Sequence, residues 1–378
     1  MKVAVVGGGP AGSLLAWHLA RDGAAVSVFD HSHPREKPCG GGLTGRALAL
    51  LPPAPADDPL PAREIGECIL EDPAGRGVEV ALARPVAVGA RRHVDAWLLR
   101  RATGAGARHV AERVVEVDGD GGLRTASGGS SRFDLVVGAD GANSLVRRTL
   151  LEPIPAERRM MAVGWYAPGA ARMLVRFTPP PLSGYLWLFP RPDHVGVGLC
   201  APLAQVPSAR LWEVLEREVA RSFPALLEVE GERYAHTIPH PSADPAALLQ
   251  IAGPKWALLG DAAGLADPIT GEGIGPALAS AVELARALRE DGSPARYPRR
   301  VADGFGRELL KAAQIHRRFY APGFTTRMVR YASRSRPLAT LLGDLVLGDA
   351  GYVGLKRRLL RLAPRLILDL AFKRAATN

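Results

Sequence analysis

Val3-Ala4-Val5-Val6-Gly7-Gly8-Gly9-Pro10-Ala11-Gly12 stands at the head of the chain, directly after Lys2. Four apolar residues, three of them β-branched, predict a short buried strand, and the glycine run that follows predicts a tight turn. Next, Ser13-Leu14-Leu15-Ala16-Trp17-His18-Leu19-Ala20 carries apolar residues at helical spacing. A second strand is expected over Ala25-Val26-Ser27-Val28-Phe29, ending at Asp30. The order is strand, glycine turn, helix, strand, acid. Gly7 permits the turn, Gly9 lets the backbone approach a pyrophosphate, and Gly12 lets the helix pack closely on the strands. Pro10 and Ala11 begin the helix, whose free N–H groups and positive dipole end face the phosphates. Asp30 stands where a carboxylate can accept ribose hydroxyls. In this full context the motif predicts a bound dinucleotide.

Two later segments choose among dinucleotides. Phe133-Asp134-Leu135-Val136-Val137-Gly138-Ala139-Asp140-Gly141-Ala142-Asn143-Ser144 reads as a strand running into a turn, with Ser144 capping a helix from about Leu145. Trp256-Ala257-Leu258-Leu259-Gly260-Asp261-Ala262-Ala263-Gly264 repeats the strand, glycine and acid order. Asp267-Pro268-Ile269-Thr270-Gly271-Glu272-Gly273-Ile274-Gly275 follows, and Pro276 to Leu288 is expected to be helical. The three segments together resemble the flavoprotein group typified by para-hydroxybenzoate hydroxylase, in which they wrap one FAD. The resemblance implies that Asp140, Gly260, Asp261, Pro268 and Gly271 contribute to the cofactor site, with Asp261 at the ribityl chain. It also implies that the helix starting near Gly273 and Ile274 points its N-terminus at the flavin N1 and C2 carbonyl, stabilising reduced flavin. Arg91 and Arg92, in Arg91-Arg92-His93-Val94-Asp95, fill the place of an arginine that contacts FAD in that group.

Function must be read from the site, because this fold hosts hydroxylases, halogenases and reductases. Lys37-Pro38-Cys39-Gly40-Gly41-Gly42-Leu43 places a thiol beside three glycines, a loop able to pack against something flat or bulky. In Ser183-Gly184-Tyr185-Leu186-Trp187-Leu188-Phe189-Pro190 the residues Tyr185, Trp187 and Phe189 alternate. On a strand they share one face, while Leu186 and Leu188 take the other. Together with the 260–274 segment, these stretches resemble the geranylgeranyl reductase family, over roughly residues 1–300. The resemblance implies hydrogenation of isoprenoid C=C bonds, with Cys39 and Gly40 near the flavin and Gly41, Tyr185, Trp187 and Phe189 against the lipid. Cys39, Tyr185 and Trp187 are the catalytic candidates, and the proton source is open between Cys39, Tyr185 and a water. The donor of electrons is open between NADPH, a ferredoxin and a quinol. The competing reading is an FAD-dependent monooxygenase acting on an aromatic or lipophilic small molecule. A flavin-dependent halogenase, with Lys37 its nearby lysine, ranks below it. A non-catalytic flavin- or lipid-binding protein comes last.

The composition agrees with an enzyme that has a large core. Of 378 residues, 47% are hydrophobic and 23% charged, and no apolar run is long enough to span a bilayer. The compartment expected is the cytoplasm. Cys39, Cys68 and Cys200 are odd in number and widely spaced, which argues against a disulfide framework and a zinc site, so no metal is expected. The net charge of +10 comes with no nucleic-acid recognition motif. Leu355 to Arg374 carries basic and apolar residues at helical spacing, broken at Pro364. It reads as a helix capping the substrate domain or as a peripheral membrane contact.

The expected architecture is mixed α/β. A discontinuous Rossmann-like FAD-binding domain (1–65, 91–150 and 250–300) is interleaved with an antiparallel-sheet substrate domain (66–90 and 151–249), and 301–378 is helical.

Overall fold

The structure is a computed structural model, in which residues 1–227 and 232–362 are described. Its core is a six-stranded sheet in the order Ala252–Gly253, Trp256–Leu258, Leu135–Gly138, Lys2–Val6, Ala25–Phe29, Arg108–Val110. All neighbours are parallel except the antiparallel edge strand Ala252–Gly253. The central strands explain the arrangement. Val3, Ala4 and Val5 are fully buried, as are Val136 and Val137, so both faces of the sheet must be covered. The helices Pro10–Arg21, Arg91–Gly104 and Ile274–Asp291 supply that cover.

An eight-stranded sheet roofs one end of the first. Its order is Arg233–Pro239, Arg159–Pro168, His194–Pro202, Tyr185–Pro190, Leu174–Phe177, Arg63–Glu71, Gly77–Val88, Gly42–Leu43. It thus recruits Gly42–Leu43 and the start of Arg63–Glu71 from the segment that otherwise serves the nucleotide-binding half. One face packs on the amphipathic helix Ser208–Ser222 through Leu211, Val214 and Leu215. The same sheet also carries the helices Phe324–Ala332 and Arg336–Val346. Gly343 is the point of close approach, since a Cβ there would lie 2.6 Å from Val80 Cγ1. Three short strands, Val114–Val117, Gly122–Thr125 and Ser130–Arg132, form a separate antiparallel ribbon with its first turn at Asp118-Gly119-Asp120-Gly121.

The expected helix at 276–288 is present as Ile274–Asp291. Of the basic C-terminal segment, residues 355–362 are helical, and 363–374 lie outside the described residues. Among the described residues, no helix is long and apolar enough to cross a membrane.

Candidate active site

Gly7, Asp30, Asp140 and Asp261 all fall just beyond the C-terminal ends of parallel strands. That is where open α/β sheets collect their ligands. A cavity of about 550 Å³ opens there and runs beneath the eight-stranded sheet.

The glycine turn is shaped by contact. Gly7 has φ +103°, and a Cβ on it would meet the Ala139 carbonyl oxygen at 2.4 Å. A Cβ on Gly12 would meet the Gly7 oxygen at 2.0 Å, so Gly12 serves helix packing and is not itself on the cavity wall. Gly9 is different. Its Cβ direction is open, with the Arg35 guanidinium nearest at 3.8 Å. Helix Pro10–Arg21 starts there with no capping side chain, leaving its N–H groups to whatever anion the cavity holds. Asp30 accepts the Gly8 N–H at 2.8 Å and the Ser32 N–H and hydroxyl at 2.9 and 2.5 Å. Burial alone would raise its carboxyl, but the Ser32 and Gly8 hydrogen bonds hold it below its ordinary value.

Asp140 turns its carboxylate inward, accepting the Ser144 hydroxyl at 2.5 Å and the Leu145 N–H at 2.6 Å. It fixes the turn while its residue lines the cavity. Asp261 receives Lys37 Nζ at 3.0 Å. Burial opposes its charge, yet Lys37 and then His236 keep its pKa low. His236, on the same wall, is pushed down to about 4 by burial and by Lys37. Its Nε2 is buried with no hydrogen-bond partner. Gly271 (φ +64°), Glu272, Gly273 and Ile274 continue the wall. Gly273 caps the helix Ile274–Asp291 without a side-chain bond of its own.

Further in, the wall becomes apolar. Tyr185, Trp187 and Phe189 all face the cavity, whereas Leu186 and Leu188 pack on the other face of the sheet with Leu211 and Leu215. The Tyr185 hydroxyl donates to the Thr270 carbonyl, tying this strand to the Gly271 turn. Val346 and Leu347 close the opposite side. Gly40 lies under the Phe189 ring, so that a Cβ would come within 2.6 Å of Phe189 Cδ2. The flat partner of the glycine loop is thus Phe189. Gly41 has φ +84°, and a Cβ there would strike the Gly89 oxygen at 2.2 Å. Cys39 Sγ accepts the Gly41 N–H at 3.3 Å. Arg191 holds the loop from below, donating to the Cys39 carbonyl at 2.7 Å and to Glu36 at 2.9 Å.

Of the residues named from sequence, Gly12, Arg92 and Pro268 are not brought to the cavity wall. Arg92 is exposed, 3.8 Å from Asp193, and Pro268 is buried inside its turn. Arg91 reaches the wall but is clasped by Asp95 through two bonds of 2.7 and 2.8 Å. Arg35, Lys37, His236 and Glu272 line the cavity and Arg191 braces its cysteine loop, with no cofactor or substrate role expected of them from sequence. Lys37 and Glu272 stand inside the cysteine-loop and 260–274 motifs, and Arg191 directly follows the aromatic strand.

These residues fit an FAD. An uncapped helix start over an open glycine, two nearby cations, two carboxylates at strand ends and an unpartnered buried imidazole form a donor set for pyrophosphate, ribose and ring edge. The family model of the FAD binding domain matches residues 1–295. The chain is 32% identical to digeranylgeranylglycerophospholipid reductase 1 of Methanopyrus kandleri, over 81% of this chain and 86% of that one. It is 29% identical to the menaquinone reductase of Mycolicibacterium smegmatis, over 97% of each. Among solved structures, a geranylgeranyl bacteriochlorophyll reductase-like protein of Thermoplasma acidophilum shares the fold at a TM-score of 0.78. That match has 21% identity and covers 96% of this chain and 98% of that one. Fold and site define an FAD-dependent oxidoreductase. The chain belongs to the FAD-binding domain family and, among its flavoproteins, to the geranylgeranyl reductases.

Proposed function

We propose that this protein hydrogenates C=C bonds of an isoprenoid chain. The observation that carries the reading is the continuity of one cavity: a dinucleotide cradle at the sheet ends opens directly onto an apolar chamber walled by Tyr185, Trp187 and Phe189. Reduced FAD, when bound, supplies a hydride from its N5. Everything else is asked of the chain. Arg35, Lys37 and the start of helix Pro10–Arg21 would neutralise the pyrophosphate, and Asp30 would take the ribose. Asp261 would hold the ribityl chain, and the N-terminus of helix Ile274–Asp291 would face the ring edge.

An isolated alkene has no carbonyl to hold developing charge. Rate must therefore come from alignment and from exclusion of water. The aromatic wall does both, and its faces favour any cationic character that develops when protonation runs ahead. A prenyl lipid must also reach the chamber from its own phase. Leu359 and Leu360 are exposed (41% and 63%) among Lys356, Arg357, Arg358 and Arg361, a surface suited to an anionic membrane.

The test is anaerobic. Protein reduced with dithionite is mixed with prenyl diphosphates, prenylated glycerolipids or prenylquinones, and product masses are read. Products heavier by pairs of hydrogens are expected, and they should be absent in a Gly9 or Asp261 variant that lacks FAD. No mass gain on any of them, with NADPH oxidation in air accelerated by a small lipophilic compound, would instead favour a monooxygenase.

A further inference from the structure

Reduction of an alkene needs a proton as well as a hydride, and the apolar chamber contains few groups that can give one. Tyr185 is poorly placed for it. Its O–H is engaged with the Thr270 carbonyl, and burial drives its pKa well above 10, so it keeps its proton. Cys39 directs its sulfur at the Gly41 N–H within the loop. Glu272 is the remaining acid where the cradle meets the chamber. It follows Gly271, whose Cβ direction points to the Tyr185 hydroxyl at 3.4 Å and Ile238 Cδ1 at 3.3 Å. Its Cγ lies beside Gly348, immediately after Val346 and Leu347 of the far wall. One of its oxygens, Oε1, accepts the Gly275 N–H at 2.6 Å, which fixes the carboxyl at the helix start. Glu272 itself lines the cavity, between the Gly271 turn and Gly273.

We propose that Glu272 is the acid that protonates the alkene carbon next to the one receiving hydride. The inference rests on the reductase reading above. One C–H bond forms with the electron pair and hydrogen of reduced flavin N5. The second forms when the π pair of the alkene takes the Glu272 proton. The alkene is reduced, the flavin is oxidised, and Glu272 is left as a carboxylate that is reprotonated from solvent.

The surroundings suit an acid that is half-loaded near neutrality. Glu272 is raised to about 7 on balance: burial and the carboxylates of Asp267 and Asp261 push it up, against the Gly275 and Ile274 N–H groups, which pull it down. Asp261 is itself paired with Lys37 and lies beside His236. From the far wall, Asp349 is occupied by Arg84 at 2.8 Å and by the Arg46 N–H. The Tyr352 hydroxyl reaches Asp267 at 3.4 Å. The sign follows directly: Glu272 holds its proton below about pH 7 and loses it above, so turnover of pre-reduced enzyme is flat on the acid side and falls on the alkaline side.

The experiment compares wild type, Glu272→Gln and Glu272→Asp holoenzymes, each assayed for FAD content, dithionite reduction and anaerobic single turnover across pH. Infrared titration of the carboxyl band accompanies each. Glu272→Gln should hold and reduce its flavin yet turn over about 100-fold more slowly. Its alkaline limb and the titrating band should vanish, and Glu272→Asp should keep an intermediate rate. Wild-type rates in Glu272→Gln, or an alkaline limb and band that persist in it, would overturn the proposal while leaving the reductase reading intact. Should Glu272→Gln fail to keep FAD, the infrared band decides: one titrating near neutrality in wild type and displaced in Glu272→Asp supports the role, and none overturns it. A wild type inert toward every prenyl compound would sink the underlying reading instead.

Discussion

Arg191 is fully buried, with a guanidinium that meets Glu36, the Cys39 carbonyl and the face of Tyr166 at 4.4 Å. Glu36 in turn accepts the Arg91 and Arg92 N–H groups at 3.1 and 3.2 Å, so one ion pair joins the cysteine loop, the aromatic strand and the helix Arg91–Gly104. Removing Arg191 leaves the half-buried Glu36 carboxylate without its charge partner. Arg191→Met should therefore lose about 3–5 kcal/mol of stability in chemical denaturation. It should also perturb the bound flavin's absorption, because the Cys39 loop loses its anchor. A melting curve and spectrum like wild type would refute that role. None of this was legible beforehand. Glu36 and Arg191 are 155 residues apart, and single-chain patterns carry no signal for a pairing at that distance. Arg92 illustrates the converse. The motif gave two adjacent arginines, and only the helix geometry decides that Arg91 turns inward and Arg92 outward.

At the scale of elements, the strand Tyr185–Pro190 separates two jobs by parity. Odd positions face the cavity and even positions face the core, as a period of two requires. The two faces should respond differently to truncation. Phe189→Ala removes chamber surface and should raise KM for a prenyl substrate roughly thirtyfold, the equivalent of about 2 kcal/mol, with fold stability less affected. Leu186→Ala opens a void under helix Ser208–Ser222 and should cost about 3 kcal/mol of stability with KM nearly unchanged. Paired denaturation and kinetic measurements check the contrast, and equal effects on both quantities would contradict it. The alternation was readable because it is local. The wall opposite was not: Val346 and Leu347 arrive from a helix whose docking depends on the close approach at Gly343 and Val80. Likewise, Gly42–Leu43 joins the roof through pairing with Ala87 and Val88, a register no local pattern announces.

Across the whole molecule, the cavity wall draws on segments from Val6 to Leu347, strands of both large sheets among them. A ligand bound by that many distant segments stabilises the folded chain by mass action. At a thousandfold excess over Kd the gain is about 4 kcal/mol. Removing FAD should thus lower the melting temperature, and adding it back should restore it in a concentration-dependent way. Gly12→Ala should reproduce the loss, since its Cβ has no room beside the Gly7 oxygen. Flavin absorbance per protein and thermal melts measure both effects. The strands of the parallel core were legible because they are short apolar runs beside glycine turns; their order in the sheet was not, because pairing between distant segments sets it.

The measurement that tests the account most directly follows the flavin itself. Holoenzyme reduced with one equivalent of dithionite, free of oxygen, is mixed with a prenyl lipid while flavin absorbance is recorded, and the lipid is then weighed by mass spectrometry. The account requires the oxidised flavin band to return with one C=C bond saturated per flavin. A flavin that stays reduced until oxygen enters, beside an unchanged lipid, would contradict it.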